Sequence, residues 1–191
     1  DVFEIEETRE ILQTARDLGF PLKLHADEFE NLGGASLGAE FGAASVDHLV
    51  KTSLEDIQKM AQSETVAVSL PGTPFGLAQS EYSPAREMIA ANAYLALATD
   101  LNPGTTWNES MQFMQALATR YMKLTPSQAL AASTINSAKA VLRDATIGSI
   151  EAGKQADILI LSVPDYRILT YRYGTNMVAN VIKKGELYPQ K

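Results

Sequence analysis

Pro21-Leu22-Lys23-Leu24-His25-Ala26-Asp27-Glu28 is a short apolar run, Leu22 and Leu24, cut off from what precedes it by Gly19 and Pro21. Three groups able to bind metal or carry protons, His25, Asp27 and Glu28, follow at once. A buried strand that ends in polar groups is the sequence form of a parallel barrel strand, whose carboxyl end opens onto the active-site face. The pattern recurs at Ser45-Val46-Asp47-His48, at Val66–Leu70 with Pro71-Gly72 behind it, and at Tyr94–Thr99 followed by Asp100. Four such strand ends on one face bring both histidines of the chain, His25 and His48, beside Asp100.

Helical segments of about a dozen residues separate these strands, the signature of parallel βα units. Before them, Ile11, Leu12, Ala15 and Leu18 follow helical spacing and Gly19 is placed to stop the helix. Gly33, Gly34, Gly38 and Gly42 thread a compact helix with Leu37 and Phe41 four apart. Ser53-Leu54-Glu55-Asp56 resembles a capping box with Asp for the usual Glu, opening a helix whose apolar side is Leu54, Ile57, Met60 and Ala61. Pro71 to Glu81 reads as a loop, and Ser83-Pro84 as a cap and first-turn proline for a helix over Ala85–Ala91. Further on, Met111, Met114 and Ala118 share a helical stripe at core-like spacing. Thr125-Pro126-Ser127-Gln128 caps a second helix, and Asn136 to Arg143 makes a third. From Ile147 the period changes: Gly148–Asp157 leads into Ile158–Leu161, and Val178–Ile182 with Lys183–Leu187 predicts a strand and hairpin. The Lys183-Lys184 pair reads as a solvated edge.

Composition narrows the chemistry. At 191 residues and 46% hydrophobic, the chain can bury a substantial core of one domain or slightly more. Its net charge of −7, without long charged runs, argues against nucleic acid and anionic membranes as main partners. With no cysteine, any metal must sit on histidine and carboxylate. No apolar run approaches the roughly 18–20 residues of a membrane span. The first residues lack a signal peptide and Asp1 is no initiator methionine, so we read an intracellular, cytoplasmic protein without its beginning.

On the residues alone, each candidate also has a structural reading. His25 and His48 could be satisfied strand-end histidines, Asp100 a cap for Leu101-Asn102-Pro103, and Glu28 a solvated loop acid. Pro103-Gly104 is a turn dipeptide whatever the function, and Gly104 permits close backbone approach to a ligand. Asp27 points away from Glu28 if the strand continues, and is read as structural.

His25-Ala26-Asp27-Glu28, Asp47-His48, Leu70-Pro71-Gly72-Thr73 and Ala98-Thr99-Asp100-Leu101-Asn102-Pro103-Gly104-Thr105 together resemble the amidohydrolase superfamily. The Gly148–Asp157 run before Ile158–Ile160 resembles that superfamily's return into its small β-sandwich. The resemblance implies an α/β chain, the C-terminal half of a metal-dependent hydrolase (β/α)8 TIM-like barrel plus part of the sandwich. Residues 1–146 would be the partial barrel with its C-terminal helices, and 147–191 the last sandwich strands. The superfamily's His-X-His pair on its first barrel strand is absent here, so the chain reads as a fragment, inactive alone.

Within the superfamily the nearest pattern is that of the histidine-breakdown hydrolases acting on imidazolone propionate. That likeness implies hydrolysis of a cyclic amide C–N bond to N-formimidoyl-glutamate, with one zinc or iron ion as cofactor. It makes His25 and Asp100 metal ligands, and His48, Glu28 and Asp100 the catalytic groups. Glu28, Asn102, Gly104 and Thr105 would contact substrate. The implied partners are this small molecule, the N-terminal half of the barrel, and a second copy in a homodimer. Two alternatives stay open: another amidohydrolase such as a heterocyclic base deaminase, and a non-catalytic partner or assembly module.

Overall fold

Leu22 and Leu24 behave as expected of an apolar run: Leu22 is buried and β1 (Lys23–Ala26) forms immediately after it. The computed structural model describes residues 3–189. Asp1 and Val2 of the chain start, and Gln190 and Lys191 of the 147–191 segment, lie outside the described residues.

Helix α1 (Ile5–Asp17) precedes β1 and ends where Gly19 takes a φ of 80°, a conformation open to glycine. Of its expected stripe, Leu12 and Ala15 pack with Leu22, Leu37 and Phe41, while Ile11 and Leu18 are exposed. Then follow α2 (Gly34–Phe41), β2 (Ser45–His48), α3 (Leu54–Ala61), β3 (Val66–Ser69), α4 (Gly72–Gly76), α5 (Ala85–Ala90) and β4 (Leu95–Leu97). The strands form one parallel sheet in the order β1-β2-β3-β4, so each of the first three is followed by a helical crossover to its neighbour. On one face Val46, Ala67, Leu95 and Leu97 pack against residues of these helices, such as Ala35, Ile57, Met60 and Met88.

Four details differ from the sequence expectation. The Pro71–Glu81 segment contains α4, which has no apolar periodicity to announce it. A side chain at Gly72 or Gly76 would strike Thr106 or the Thr105 carbonyl, so the helix forms because its glycines pack on the chain after β4. Leu54 is 65% exposed: it stands at the first position of α3, turned away from the face made by Asp56, Ile57 and Met60. Asp56 is too short to reach the Ser53 backbone. Its carboxylate instead accepts from the side chains of Ser53, Ser36 and Asn31, while Ser53 caps Asp56 N–H at 3.2 Å. Ser83 does not cap α5, because its hydroxyl donates to Ser69 Oγ on β3 at 2.6 Å.

After β4 come α6 (Met111–Arg120), α7 (Pro126–Ala132), with a full capping box from Thr125 and Gln128, and α8 (Ile135–Ala140). Ala140 of α8 packs with Val66, Val68, Leu70 and Ala96 on the opposite sheet face. On the β3 side, Ala67 N–H donates to the Tyr94 carbonyl and Ala98 N–H to that of Ser69, so the carbonyls of Leu95 and Leu97 face the outer edge. Asn136 Nδ2 and Ser137 Oγ donate to them at 2.7 and 2.9 Å, which closes part of a sheet edge. Strands β5 (Ile158–Leu161), β6 (Val178–Lys183) and β7 (Glu186–Pro189) form an antiparallel sheet, with α9 (Ile168–Tyr171) between β5 and β6. Lys184 and Gly185, both at positive φ, make the β6–β7 turn as the sequence expects.

Candidate active site

The parallel register of β1 and β2 sets His25 opposite Asp47 and Ala26 opposite His48. At the carboxyl ends of the strands the backbone leaves the extended region: φ is 51° at Asp27, 79° at His48, 60° at Leu49 and 52° at Asp100. Non-glycine residues pay steric strain there, and such positions gather where a fold aims functional groups. The His25 and His48 rings lie 4.9 Å apart between centroids and tilted by 48°. His25, on the edge strand, is exposed, whereas His48 is only 5% exposed.

Glu28 follows β1 and brings Oε1 to 3.6 Å from His48 Nδ1. That is too long for a hydrogen bond, and Nδ1 has no partner among the described residues. Burial pushes the Glu28 carboxyl above the usual range, and Asp100 adds to the rise while His25 opposes it. Burial likewise pushes His48 below the ordinary histidine value, against the pull of Asp100, with His25 also lowering it. Both shifts work against an ion pair: His48 is a neutral imidazole at neutral pH, and Glu28 shares protons more readily than a free glutamate.

Asp100 is held from two sides. Thr73 Oγ1, on α4, donates to its Oδ2 at 2.7 Å, and Asn102 Nδ2 donates to its backbone carbonyl at 2.7 Å. Asn102 also shapes the loop beyond: Oδ1 accepts from Gly104 N–H at 2.8 Å and from Thr105 N–H at 2.9 Å, and Nδ2 reaches Thr105 Oγ1 at 3.1 Å. Both ends of the Asn102 amide are thus engaged within the loop, Gly104 is exposed and Thr105 half-buried.

The fold therefore gathers His25, His48, Glu28 and Asp100, and sets Asn102, Gly104 and Thr105 directly after Asp100. Asp27 lies apart from this group. It is 4% exposed and its carboxylate accepts from the N–H groups of Leu32, Gly34 and Ala35 and from Thr52 Oγ1, which makes it the remote cap of α2. Sequence reasoning missed Thr73 and Thr106, whose hydroxyls lie 3.3 Å apart behind Asp100. The signal was present in Leu70-Pro71-Gly72-Thr73, but reading that stretch as a loop hid it.

A zinc or iron ion takes neutral imidazole and carboxylate donors. His25 and Asp100 are donors of that chemistry. Among the described residues no group of three or more His, Cys, Asp or Glu side chains could hold an ion.

Residues 3–188 match the amidohydrolase family, and the chain belongs to that family. It is 55% identical over 185 residues to the imidazolonepropionase of Herpetosiphon aurantiacus, an alignment covering 97% of this chain and 43% of that protein. It is 48% identical to the imidazolonepropionase of Treponema denticola, over 100% of this chain and 46% of that one. The chain thus spans less than half the length of these curated relatives. Among solved structures it resembles 5-methylcytosine deaminase from Klebsiella pneumoniae liganded with 5-fluorocytosine, with a TM-score of 0.81 at 16% identity, covering 97% of this chain and 52% of that one. It also resembles a zinc-bound adenosine deaminase from Xanthomonas campestris, with a TM-score of 0.76 at 21% identity, covering 95% and 48% of the two chains. At such identities these two likenesses establish the fold: an α/β half of a TIM-type barrel, in which β1 to β4 are consecutive strands.

Proposed function

We propose that this chain is the C-terminal portion of an enzyme that hydrolyses the cyclic amide C–N bond of imidazolone propionate, yielding N-formimidoyl-glutamate. The observation that carries the reading is the gathering of His25, His48, Glu28 and Asp100 at parallel strand ends in a chain 55% identical to an imidazolonepropionase. Residues 1–146 then form the partial barrel, and 147–191 the last strands of a small β-sandwich. The same reading makes the whole enzyme a cytoplasmic homodimer.

His25 and Asp100 would hold a zinc or iron ion together with ligands from the N-terminal half. When bound, the ion supplies Lewis acidity, which acidifies a water molecule and polarises a carbonyl. Neutral His48 orients the attacking water and, as oxygen adds to the ring carbonyl, stabilises the developing oxyanion. The C–N bond then breaks, and the proton taken from water passes through Asp100 or Glu28 to the leaving nitrogen. A carboxyl held above its usual range suits Glu28 to that transfer and to a contact with the substrate. Gly104 and Thr105 line the substrate's propionate-derived end. Asn102, saturated within its loop, contributes by presenting them.

The test is turnover by the purified full-length protein with imidazolone propionate, cytosine and guanine in parallel. Turnover of imidazolone propionate, lost in H48N, supports the reading. Deamination of a base with no ring opening would replace it with the deaminase alternative. A metal-free protein inert toward all three would leave the assembly-module alternative. In the active enzyme, H48N should lower kcat by about 10²–10³-fold, the range of a lost oxyanion-stabilising donor.

A further inference from the structure

We propose that Thr73 is the positioning residue for Asp100. The inference rests on the reading of Asp100 as a metal ligand and proton carrier, and it assigns a role to the short helix α4. Thr73 is 2% exposed, and its Oγ1 has two neighbours, Asp100 Oδ2 at 2.7 Å and Thr106 Oγ1 at 3.3 Å. An ionised carboxylate can only accept, and a hydroxyl has a single proton to give. The short contact therefore fixes the direction of the whole chain. Thr73 donates to Asp100, so Thr73 must accept from Thr106, and the two hydroxyls form a relay that ends on one carboxylate oxygen. Among the described residues this is the one side-chain hydrogen bond to the Asp100 carboxylate, and it leaves Oδ1 for other partners.

The donor itself has little freedom. Thr73 sits between Gly72 and Gly76, the two residues by which α4 presses on the segment it serves. A Cβ on Gly72 would come within 2.5 Å of Thr106 Cγ2 and 3.2 Å of the Thr99 carbonyl. One on Gly76 would meet the Thr105 carbonyl at 2.0 Å. Asp100, at a φ of 52°, is thus clamped at its backbone by Asn102 and at its carboxylate by Thr73. Groups that orient a ligating carboxylate set both its direction and its basicity.

The experiment compares T73V, T73S and T106V in the full-length protein by chelator competition for zinc, thermal melting, and kcat and KM for imidazolone propionate. T73V keeps the shape and deletes the hydroxyl. It should weaken zinc binding about 10–100-fold and lower kcat with KM little changed, while T73S recovers most of the affinity. T106V, which removes only the start of the relay, should fall between them, and it carries the test should T73V fail to fold. Zinc affinity in T73V equal to the parent's overturns the proposal. So does a T73S as impaired as T73V, since the methyl would then matter and not the hydroxyl, or an unchanged T106V beside an unfolded T73V. Zinc binding is read without substrate. A parent that binds zinc but leaves imidazolone propionate intact, with T73V still weakened, therefore ends the functional reading alone. A parent that binds no zinc overturns both.

Discussion

At the scale of single residues, the two acids of His25-Ala26-Asp27-Glu28 part company over one backbone angle. Asp27 enters the left-handed region, and its carboxylate turns under α2 to collect three N–H groups and the Thr52 hydroxyl. Glu28, one residue on, faces His48. D27A should therefore cost about 2 kcal/mol in urea unfolding, because it strands buried donors at a helix start. D27N, which still accepts and tolerates the left-handed region, should cost less. A D27A protein as stable as its parent would contradict the capping role.

At the scale of elements, α2 shows how two kinds of glycine differ. Gly38 is a contact glycine: a Cβ there would lie 2.2 Å from Val46 Cγ2 on β2. Gly42 is a conformational glycine, at a φ of 65° with open space around it. G38A should thus destabilise by overpacking, about 1–3 kcal/mol, and loosen α2 from the sheet. G42A should cost about 1–2 kcal/mol from backbone strain alone and leave the packing intact. Stability measurements paired with hydrogen exchange at β2 separate the two, because only G38A should raise exchange there. The β6–β7 turn provides a pH test. Asp157 accepts from Lys183 Nζ at 2.6 Å and from Lys184 N–H at 2.9 Å, and these hold its pKa at about 2. A carboxylate depressed on folding adds stability above its unfolded value and loses it as pH falls toward the folded one. Exchange protection of the turn should consequently decline between about pH 4 and 2, and D157N should flatten that decline.

At the scale of the whole molecule, two side chains of α6 tie the helices after the parallel sheet to the segment between β5 and β6: Arg120, and Gln112, which donates to Asn176 Oδ1 at 2.9 Å and accepts from the Met177 N–H at 3.0 Å. Arg120 of α6 donates to the carbonyls of Thr170 and Tyr171 at 2.6 and 3.2 Å, while its guanidinium lies 4.4 Å from the Tyr173 ring centre. R120A should raise hydrogen exchange over residues 162–177 and leave β1–β4 unchanged. Uniform loosening of both sheets would instead mean that the Arg120 contact is not a tie. The parallel sheet is itself uneven: the outer edge of β4 is capped by Asn136 and Ser137, while β1 leaves Lys23 and His25 exposed. His25 therefore lies open to solvent at the uncovered edge.

The sequence by itself determined the order of the strands, the helices apart from α4 and α9, and the parallel sheet. It also placed His25, His48, Glu28 and Asp100 at strand ends, because apolar runs, caps and glycines act over a few residues and are written in a few residues. Only the tertiary structure decided that Pro71–Glu81 holds a helix, that Leu54 faces away from the core, that Ser83 serves Ser69, and that Thr73 meets Asp100 across 27 positions. Each of those outcomes depends on what a distant segment brings alongside, a contact made by packing that leaves no period or spacing in the chain around it.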